Sequence, residues 1–328
     1  MSAQNSIKIL HLTIVGFFLM VMDSCTMKEN SHQEDILNIE IANLIEYDLK
    51  KPDAIFKLPD KLDEVSGIAW LGKDKLACIQ DEKAIIYIYD LKKLKIISEI
   101  HFGKDGDYED IVVEGSNAYV LRSDGTVFEV ENFRLPTRKT HIFNTKLSLR
   151  NNAEGLAYDK ENNALLLACK ESPSIDKEYL YPGLRAIYTF DLKTKSLKEK
   201  PAILIDPSKM KKNQTSPEKN KAYVSEFFTK IAHALKLSDG NAFYPSAIAL
   251  HPNKPEQIYL ISSVGRTLII LNRQGEILDN TKLSKTLFTQ AEGICFSDKG
   301  DLFISNEGKN GTATIKKFNK LAKSKTDI

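Results

Sequence analysis

Apolar residues in this chain fall in runs of about four to seven positions that are separated by short polar turns. The first series of runs is Val65 to Trp70, Leu76 to Gln80, Ala84 to Asp90 and Ile96 to Phe102. The runs are rich in Ile, Val, Leu and Tyr and are bounded by Gly, Asp or Lys, which is typical of β-strands joined by hairpins. Continuously apolar runs such as Leu165 to Ala168 predict strands that are covered on both faces.

A short phrase opens each series of runs and recurs along the chain. It reads EVSGIAW at Glu64, YEDIVV at Glu109, AEGLAYD at Glu154, PSAIALHP at Ser246 and AEGICFS at Glu292. The spacing is about 45 residues, with one interval of about twice that length, and a period in this range is typical of a radial β repeat. The pattern predicts an all-β fold, a single β-propeller. We favour five blades over six, which would also fit the doubled interval.

Two further segments bear on the blade count. Residues 194–220 are dominated by Lys, Asn, Ser and Pro, and apolar residues then follow at helical spacing, which predicts an insertion with one amphipathic helix near 223–237. The last repeat is one strand short, and we expect Ile45 to Leu58 to supply that strand and close the ring. The predicted propeller spans 44–320 and is followed by a basic tail at 321–328.

The N-terminal residues predict export. Residues 1–24 contain Lys8, an apolar run and Ser24, which together indicate a signal peptide of the lipoprotein type with Cys25 as the lipidated residue. The alternative is an uncleaved membrane anchor, although the run is short for a span. Residues 25–43 are polar and acidic and would act as a tether. Both interpretations predict a protein of the bacterial cell envelope that is held at the membrane and faces the periplasm or the exterior.

Charge and cysteine content limit the remaining classes. A net charge of +2 gives no indication of a nucleic-acid partner. Cys78, Cys169 and Cys295 lie inside apolar runs of different blades, so we expect buried free thiols instead of a disulfide.

The repeated phrases should bring acidic residues together. In a propeller the start of each inner strand and the end of the second strand lie on one rim of the central channel. This predicts an inner ring of the four phrase glutamates, Glu64, Glu109, Glu154 and Glu292. Secondary candidates for the rim or for metal ligation are Asp81, Glu82, Asp124, Glu171, Glu307 and Ser246, the last of which replaces glutamate in blade four.

Converging carboxylates either take up protons or bind a cation. All the donors are oxygens and no histidine is among them, which favours calcium over zinc or copper. The alternative is a structural clamp, in which each glutamate accepts hydrogen bonds from backbone amides of the next blade. The residues leave the two roles equally open. Arg122, Lys170 and Arg266 end or follow second strands near the predicted rim, and we expect them to neutralise neighbouring carboxylates; the alternative is that they hold an anionic ligand.

The phrases together resemble a known family. LDEVSGIAW, GDYEDIVVEGSNAYVLRSDGTVFEV, NAEGLAYDKENNALLLACKE and AEGICFSDKGDLFISNEG are similar to segments of the SdiA-regulated family of bacterial envelope proteins, and the resemblance spans about residues 45 to 319. It implies a five-bladed propeller with a calcium site and no established activity. On this resemblance the metal role is carried onto Glu64, Glu109, Glu154 and Glu292, with Glu82, Glu171 and Glu307 as secondary candidates. Asp110 and Ser246 depart from the repeated pattern.

Two classes of function follow. The first is a membrane-anchored module that binds calcium and presents a surface to an unknown ligand or protein partner. The second is a metal-dependent hydrolase of the lactonase or phytase type, which needs a general base beside the metal. No residue can be assigned as that base and no catalytic residue is identified, so we favour the binding module.

Overall fold

The computed structural model describes residues 44–176, 180–211, 243–308 and 311–321 of the 328-residue chain. In these residues the chain forms five antiparallel sheets arranged as the five blades of a propeller, which confirms the all-β prediction and decides between five and six blades. The predicted helix near 223–237, the signal segment, the tether with Cys25 and nearly all of the basic tail lie outside the described residues. No helix among the described residues has the length and apolarity needed to cross a membrane.

The blades follow one another along the chain. Blade one contains β2 (Val65–Trp70), β3 (Lys75–Gln80), β4 (Ile85–Asp90) and β5 (Lys95–His101). Blade two contains β6 (Tyr108–Glu114), β7 (Asn117–Arg122), β8 (Val127–Glu131) and β9 (Lys139–Phe143). Blade three contains β10 (Ala153–Asp159), β11 (Ala164–Cys169), β12 (Arg185–Asp191), β13 (Ser196–Leu197) and β14 (Ile203–Ile205). Blade four contains β15 (Ala247–His251), β16 (Lys254–Ser262), β17 (Thr267–Leu271) and β18 (Ile277–Lys282).

Blade five combines the two ends of the propeller. It contains β19 (Ala291–Phe296), β20 (Leu302–Asn306), β21 (Thr314–Phe318) and, from the N-terminal side, β1 (Ala54–Lys57). The pairing of β1 with β21 runs from Ala54 opposite Lys317 to Lys57 opposite Thr314. This confirms the predicted closing strand, which covers the edge that β21 would otherwise expose. Short 3-10 helices at Asp60–Leu62 and Pro207–Lys209 flank the strands.

Hydrophobic packing occurs mainly between adjacent blades, because each blade is a sheet with two apolar faces. Between blades one and two, the rings of Phe102, Tyr108 and Phe128 meet edge to face with centroids 4.9–5.7 Å apart. Burying one such aromatic side chain contributes about 1.5–3 kcal/mol. Cys78, Cys169 and Cys295 are buried free thiols inside these interfaces, as predicted.

Glycines of the repeated phrase allow the innermost strands to approach one another. A Cβ atom on Gly67 would lie closer than 3.0 Å to the backbone of Asp110, and one on Gly155 would lie that close to the Ile248 side chain. A Cβ atom on Gly293 would meet the Ser66 carbonyl oxygen in the same way. The repeated glycine is therefore a packing requirement of the narrow centre of the propeller.

The two faces of the propeller differ. We call the face on which the innermost strands β2, β6, β10, β15 and β19 begin the first face, and the face on which they end the second face. Strand order and antiparallel pairing place both ends of the connections β11–β12 and β14–β15 on the first face, where residues 170–176, 180–184, 206–211 and 243–246 are described. Long connections on a rigid scaffold are the usual carriers of function, which directs attention to this face.

Candidate cation site at the channel mouth

A β-bulge at the start of the innermost strand positions the repeated acidic residue. In blades two, three and five the register shifts by one residue, between Tyr108 and Asp110, between Ala153 and Gly155, and between Ala291 and Gly293. The extra residues are Glu109, Glu154 and Glu292. A bulge turns the side chain of the extra residue out of the regular pleat, and bulges are common beside functional sites. The three bulged glutamates, which we call the inner ring, lie on the first face.

Blade one departs from the predicted ring. The register of β2 with β3 shifts between Val65 and Ile68, so the bulge contains Ser66 and Gly67. The position equivalent to Glu109 is therefore Ser66, and Glu64 lies two residues earlier and is exposed. The prediction that Glu64 belongs to the inner ring is wrong. The sequence repeats were matched by their glutamates, whereas the bulges of blades one, three and five match by the glycine that permits close packing. Its metal role stays a prediction, as do those of the other candidates.

Lys170 lies within the inner ring. Its Nζ is 2.7 Å from Oε1 of Glu154, and both side chains are largely buried. The amide of Asn152 donates to the same carboxylate at 2.7 Å. The pKa of Lys170 is raised by Glu154, Glu292 and Glu109 against the opposing effect of burial. The Lys170 ammonium is thus attracted by all three glutamates, which confirms the predicted neutralising role of Lys170.

Glu109 is less compensated than Glu154. Burial raises the pKa of its carboxyl group to about 10, with further contributions from Glu154, Asp107 and Glu292. Burial also raises the pKa of Glu154 to about 7, although Lys170 and Asn152 act in the opposite direction. At neutral pH Glu109 therefore holds a proton, because its buried carboxylate would otherwise face the negative charges of Glu154, Asp107 and Glu292.

A second acidic cluster, the blade-one group, consists of Glu64, Asp81, Glu82 and Asp107. Burial raises the pKa of Asp81 to about 6, and repulsion from Glu64, Glu82 and Asp107 adds to the shift. The Oδ1 atom of Asp81 is buried and has no hydrogen-bonding partner in the described part of the chain. This cluster contains Glu64, which was expected in the inner ring, and two of the secondary candidates, Asp81 and Glu82.

The other secondary candidates have different surroundings. Asp124 is bound to the Arg122 guanidinium through two bonds of 3.1 and 2.7 Å, which confirms the neutralising role of Arg122. Glu171 is exposed, and Glu307 is partly buried on the first face. Ser246 is buried, and its Oγ donates to the Ala291 carbonyl at 3.0 Å and accepts from the Ser263 amide at 3.2 Å.

Asp110, Ser305 and Ser246 hold neighbouring blades together through hydrogen bonds to the backbone. Asp110 accepts the Leu156 amide of blade three at 2.7 Å, and Ser305 donates to the Ser66 carbonyl of blade one at 2.9 Å. Ser246 links blades four and five as described above. Glu154, by contrast, is bound by side chains. In the sequence, Asp110 is distinguished only by standing where blades three and five have glycine. This difference was the feature that could have indicated its clamping role.

Calcium is the cation that the donor chemistry fits. All the inner-ring and blade-one donors are carboxylate oxygens, the ligands that calcium prefers. As arranged here, no three His, Cys, Asp or Glu side chains of the described residues are close enough together to hold a metal ion. The donor types therefore match calcium, while the inner-ring carboxylates are at present arranged around the Lys170 ammonium.

Several buried polar atoms on the first face lack partners within the described ranges. They are Ser123 Oγ, just after β7, and both amide atoms of Asn306, at the end of β20. With Asp81 they occupy the first-face ends of second strands in three blades. Buried polar groups are nearly always satisfied by protein, water or ligand, so these positions mark where the channel mouth can offer hydrogen bonds.

The fold and the channel mouth define a five-bladed propeller with one acidic face. The model of the family described as SdiA-regulated matches residues 54–311. The chain belongs to the SdiA-regulated family, which confirms the resemblance seen in the sequence.

Other comparisons give distant matches. A luciferin-regenerating enzyme shares 11% identity, with 82% of this chain and 95% of that chain covered and a TM-score of 0.48. Hydrazine synthase of Kuenenia stuttgartiensis shares 12% identity, with coverage of 77% and 83% and a TM-score of 0.43. No curated protein matches the chain. At this level of similarity the two structures carry no argument about function.

Proposed function

We propose that this protein is a membrane-anchored binding module of the bacterial cell envelope that takes up calcium at the inner ring. The observation that carries the proposal is the convergence of Glu109, Glu154 and Glu292 around the Lys170 ammonium, with burial holding the pKa of Glu109 at about 10. A divalent cation compensates two carboxylates, whereas the ammonium compensates one. Calcium would therefore replace Lys170 beside Glu154 and draw Glu109 and Glu292 inward.

The anchoring part of the proposal rests on the sequence, in which an apolar run ends at Ser24 and Cys25. The propeller unit begins at Glu46, whose carbonyl accepts the Leu321 amide at 2.8 Å and whose carboxylate pairs with Lys254 at 3.1 Å. Lys254 begins β16, so Glu46 lies on the second face.

Calcium titration of the purified propeller tests the binding part of the proposal. Calcium that binds only the folded state stabilises it by about 2.7 kcal/mol at a hundredfold excess over Kd. We expect added calcium to raise the melting temperature and chelator to lower it. The double variant Glu109→Gln, Glu154→Gln should lose this response, because glutamine keeps the size but not the charge of the ligand.

Two single variants test which carboxylates bind calcium and whether Lys170 competes with it. Glu64→Gln removes an exposed carboxylate outside the inner ring and should respond to calcium like the wild type. Lys170→Gln removes the competing ammonium and should bind calcium about tenfold more tightly, which corresponds to about 1.4 kcal/mol. Equal responses of the double variant and the wild type would exclude the inner ring as the site. Loss of the response in Glu64→Gln alone would move the site to the blade-one group.

A further inference from the structure

The central channel contains a cavity of about 270 Å³ that is lined by the innermost strands of all five blades, with apolar side chains and polar atoms contributing about equally to the accessible lining. The lining comes from the second halves of the innermost strands, from Ile68, Ile111, Leu156, Ile248 and Ile294 towards the second face. The cavity is thus separate from the inner-ring glutamates, which lie at the opposite ends of the same strands.

The width of the cavity has a sequence cause. One residue beyond these aliphatic positions, the strands carry small side chains at Ala69, Val112, Ala157, Ala249 and Cys295. Four of the five are alanine or cysteine, which leaves space that leucine or phenylalanine would fill. Each innermost strand also pairs with only one neighbouring strand, so a backbone edge borders the channel in every blade.

Larger side chains lie at the second-face mouth of the cavity, where Trp70 and Tyr158 contribute aromatic rings. Trp70 stacks on Phe303 with centroids 5.3 Å apart, which fixes the indole. Its Nε1 donates to Oδ2 of Asp298 at 3.2 Å. Asp298 is exposed and supplies the carboxylate of the cavity lining within the described residues.

We infer that this cavity, which we call the channel pocket, binds a small aromatic or branched aliphatic amine. The apolar part of the ligand would enter the ring of small side chains, and the ammonium group would remain at the mouth between the Asp298 carboxylate and the Trp70 ring. A cation close to both a carboxylate and an indole is favoured by ion pairing and by the cation–π interaction. The accessible lining is about half polar, so apolar contacts and polar groups can both orient the ligand.

The volume limits the size of the ligand. An apolar cavity of about 150 Å³ binds benzene, and pockets for larger ligands begin at about 300 Å³. At about 270 Å³ the channel pocket admits one ring with a short side chain and excludes a folded peptide. A single phenyl ring carrying a two-carbon amine meets this limit.

Trp70 is the only tryptophan in the chain, so its fluorescence reports directly on the channel pocket. The probe is 2-phenylethylamine, compared with 2-phenylethanol, which has the same shape but no charge at neutral pH. We expect a saturable change in Trp70 emission with the amine at millimolar concentration and about fivefold weaker binding of the alcohol. Saturation-transfer NMR of the probe provides a readout that does not depend on tryptophan.

Variants identify the residues involved. Asp298→Asn should reduce the affinity for the amine to that for the alcohol, whereas Glu161→Gln, another exposed carboxylate of the second face, should leave both affinities unchanged. Ala249→Leu fills the ring of small side chains and should abolish binding of both probes. If this variant does not fold, the comparison of amine and alcohol on wild type and Asp298→Asn still decides. Absence of saturable binding, or equal affinity of Asp298→Asn and wild type for the amine, would overturn the inference.

Discussion

His251 shows how a single side chain joins the N-terminal segment to the propeller. Its Nδ1 accepts the Asn253 amide at 3.2 Å, and its Nε2 lies 3.2 Å from the Tyr47 hydroxyl. Tyr47 in turn donates to the Gly300 carbonyl at 2.6 Å, so Nε2 must carry the hydrogen that is shared with Tyr47. The neutral imidazole is thereby fully bonded. Protonation of Nδ1 would remove the acceptor of the Asn253 amide.

These bonds predict a dependence of stability on pH. Burial lowers the pKa of His251 from 6.5 to about 4; Glu46 opposes this shift, and Lys320 and Lys254 add to it. The unfolded chain therefore takes up a proton that the folded chain resists between about pH 6.5 and pH 4. The contribution is fully present above pH 6.5 and is lost as the pH falls through this window. We expect a loss of about 1 to 2 kcal/mol in the free energy of unfolding between pH 7.5 and pH 5.

Urea denaturation at both pH values measures this effect. Because other carboxylates also titrate, the informative quantity is the difference between wild type and His251→Gln. The variant should be less stable at pH 7.5, since it loses the bonded imidazole, and its stability should fall less on acidification. Parallel pH dependence in the two proteins would show that His251 does not titrate in this window.

At the scale of the strand, the close approach of neighbouring innermost strands depends on glycine. We predict that Gly293→Ala destabilises the propeller by about 1–3 kcal/mol, because the new methyl group would contact the Ser66 carbonyl and the Ser305 hydroxyl closer than 3.0 Å. Backbone atoms cannot turn aside, so β19 and β2 must separate. Thermal unfolding monitored by circular dichroism measures the change.

Gly103→Ala is the matched control for this prediction. A methyl group there would be 3.5 Å from the Tyr108 hydroxyl oxygen, an ordinary van der Waals contact. Its stability should equal or slightly exceed that of wild type, since alanine reduces the freedom of the unfolded chain. A Gly293→Ala protein as stable as Gly103→Ala would contradict the packing role of the repeated glycine.

At the scale of the whole molecule, the proposed anchor predicts where the protein is found. Replacing Cys25 by serine removes the thiol that would carry the lipid, so we expect the Cys25→Ser protein to leave the membrane fraction or to be mislocalised. Fractionation and mass spectrometry of the N-terminus measure both outcomes. A Cys25→Ser protein that remains at the membrane with its signal segment fully cleaved would rule out the lipid anchor.

The sequence by itself determined the architecture. Strands of the blades are consecutive hairpins, so apolar runs, turns and a period of about 45 residues were enough to predict blade composition and the closing strand Ala54–Lys57. The buried cysteines and the acidic first face also followed from local patterns, because strand direction places every repeat unit in the same orientation. Apart from the closing strand, which pairs with Thr314–Phe318 at the other end of the propeller, these features depend on interactions between residues that are close together in the sequence.

The tertiary structure decided the membership of the channel mouth. A shift of two residues in blade one exchanges Glu64 for Ser66, and only the pairing of β2 with β3 and the contacts of Gly67 reveal that register. Likewise, Lys170 enters the inner ring because the end of β11 lies beside the Glu154 bulge. The channel pocket combines side chains from five blades, whose distances depend on closure of the ring. Such arrangements arise from contacts between distant parts of the chain, which periodicity alone does not specify.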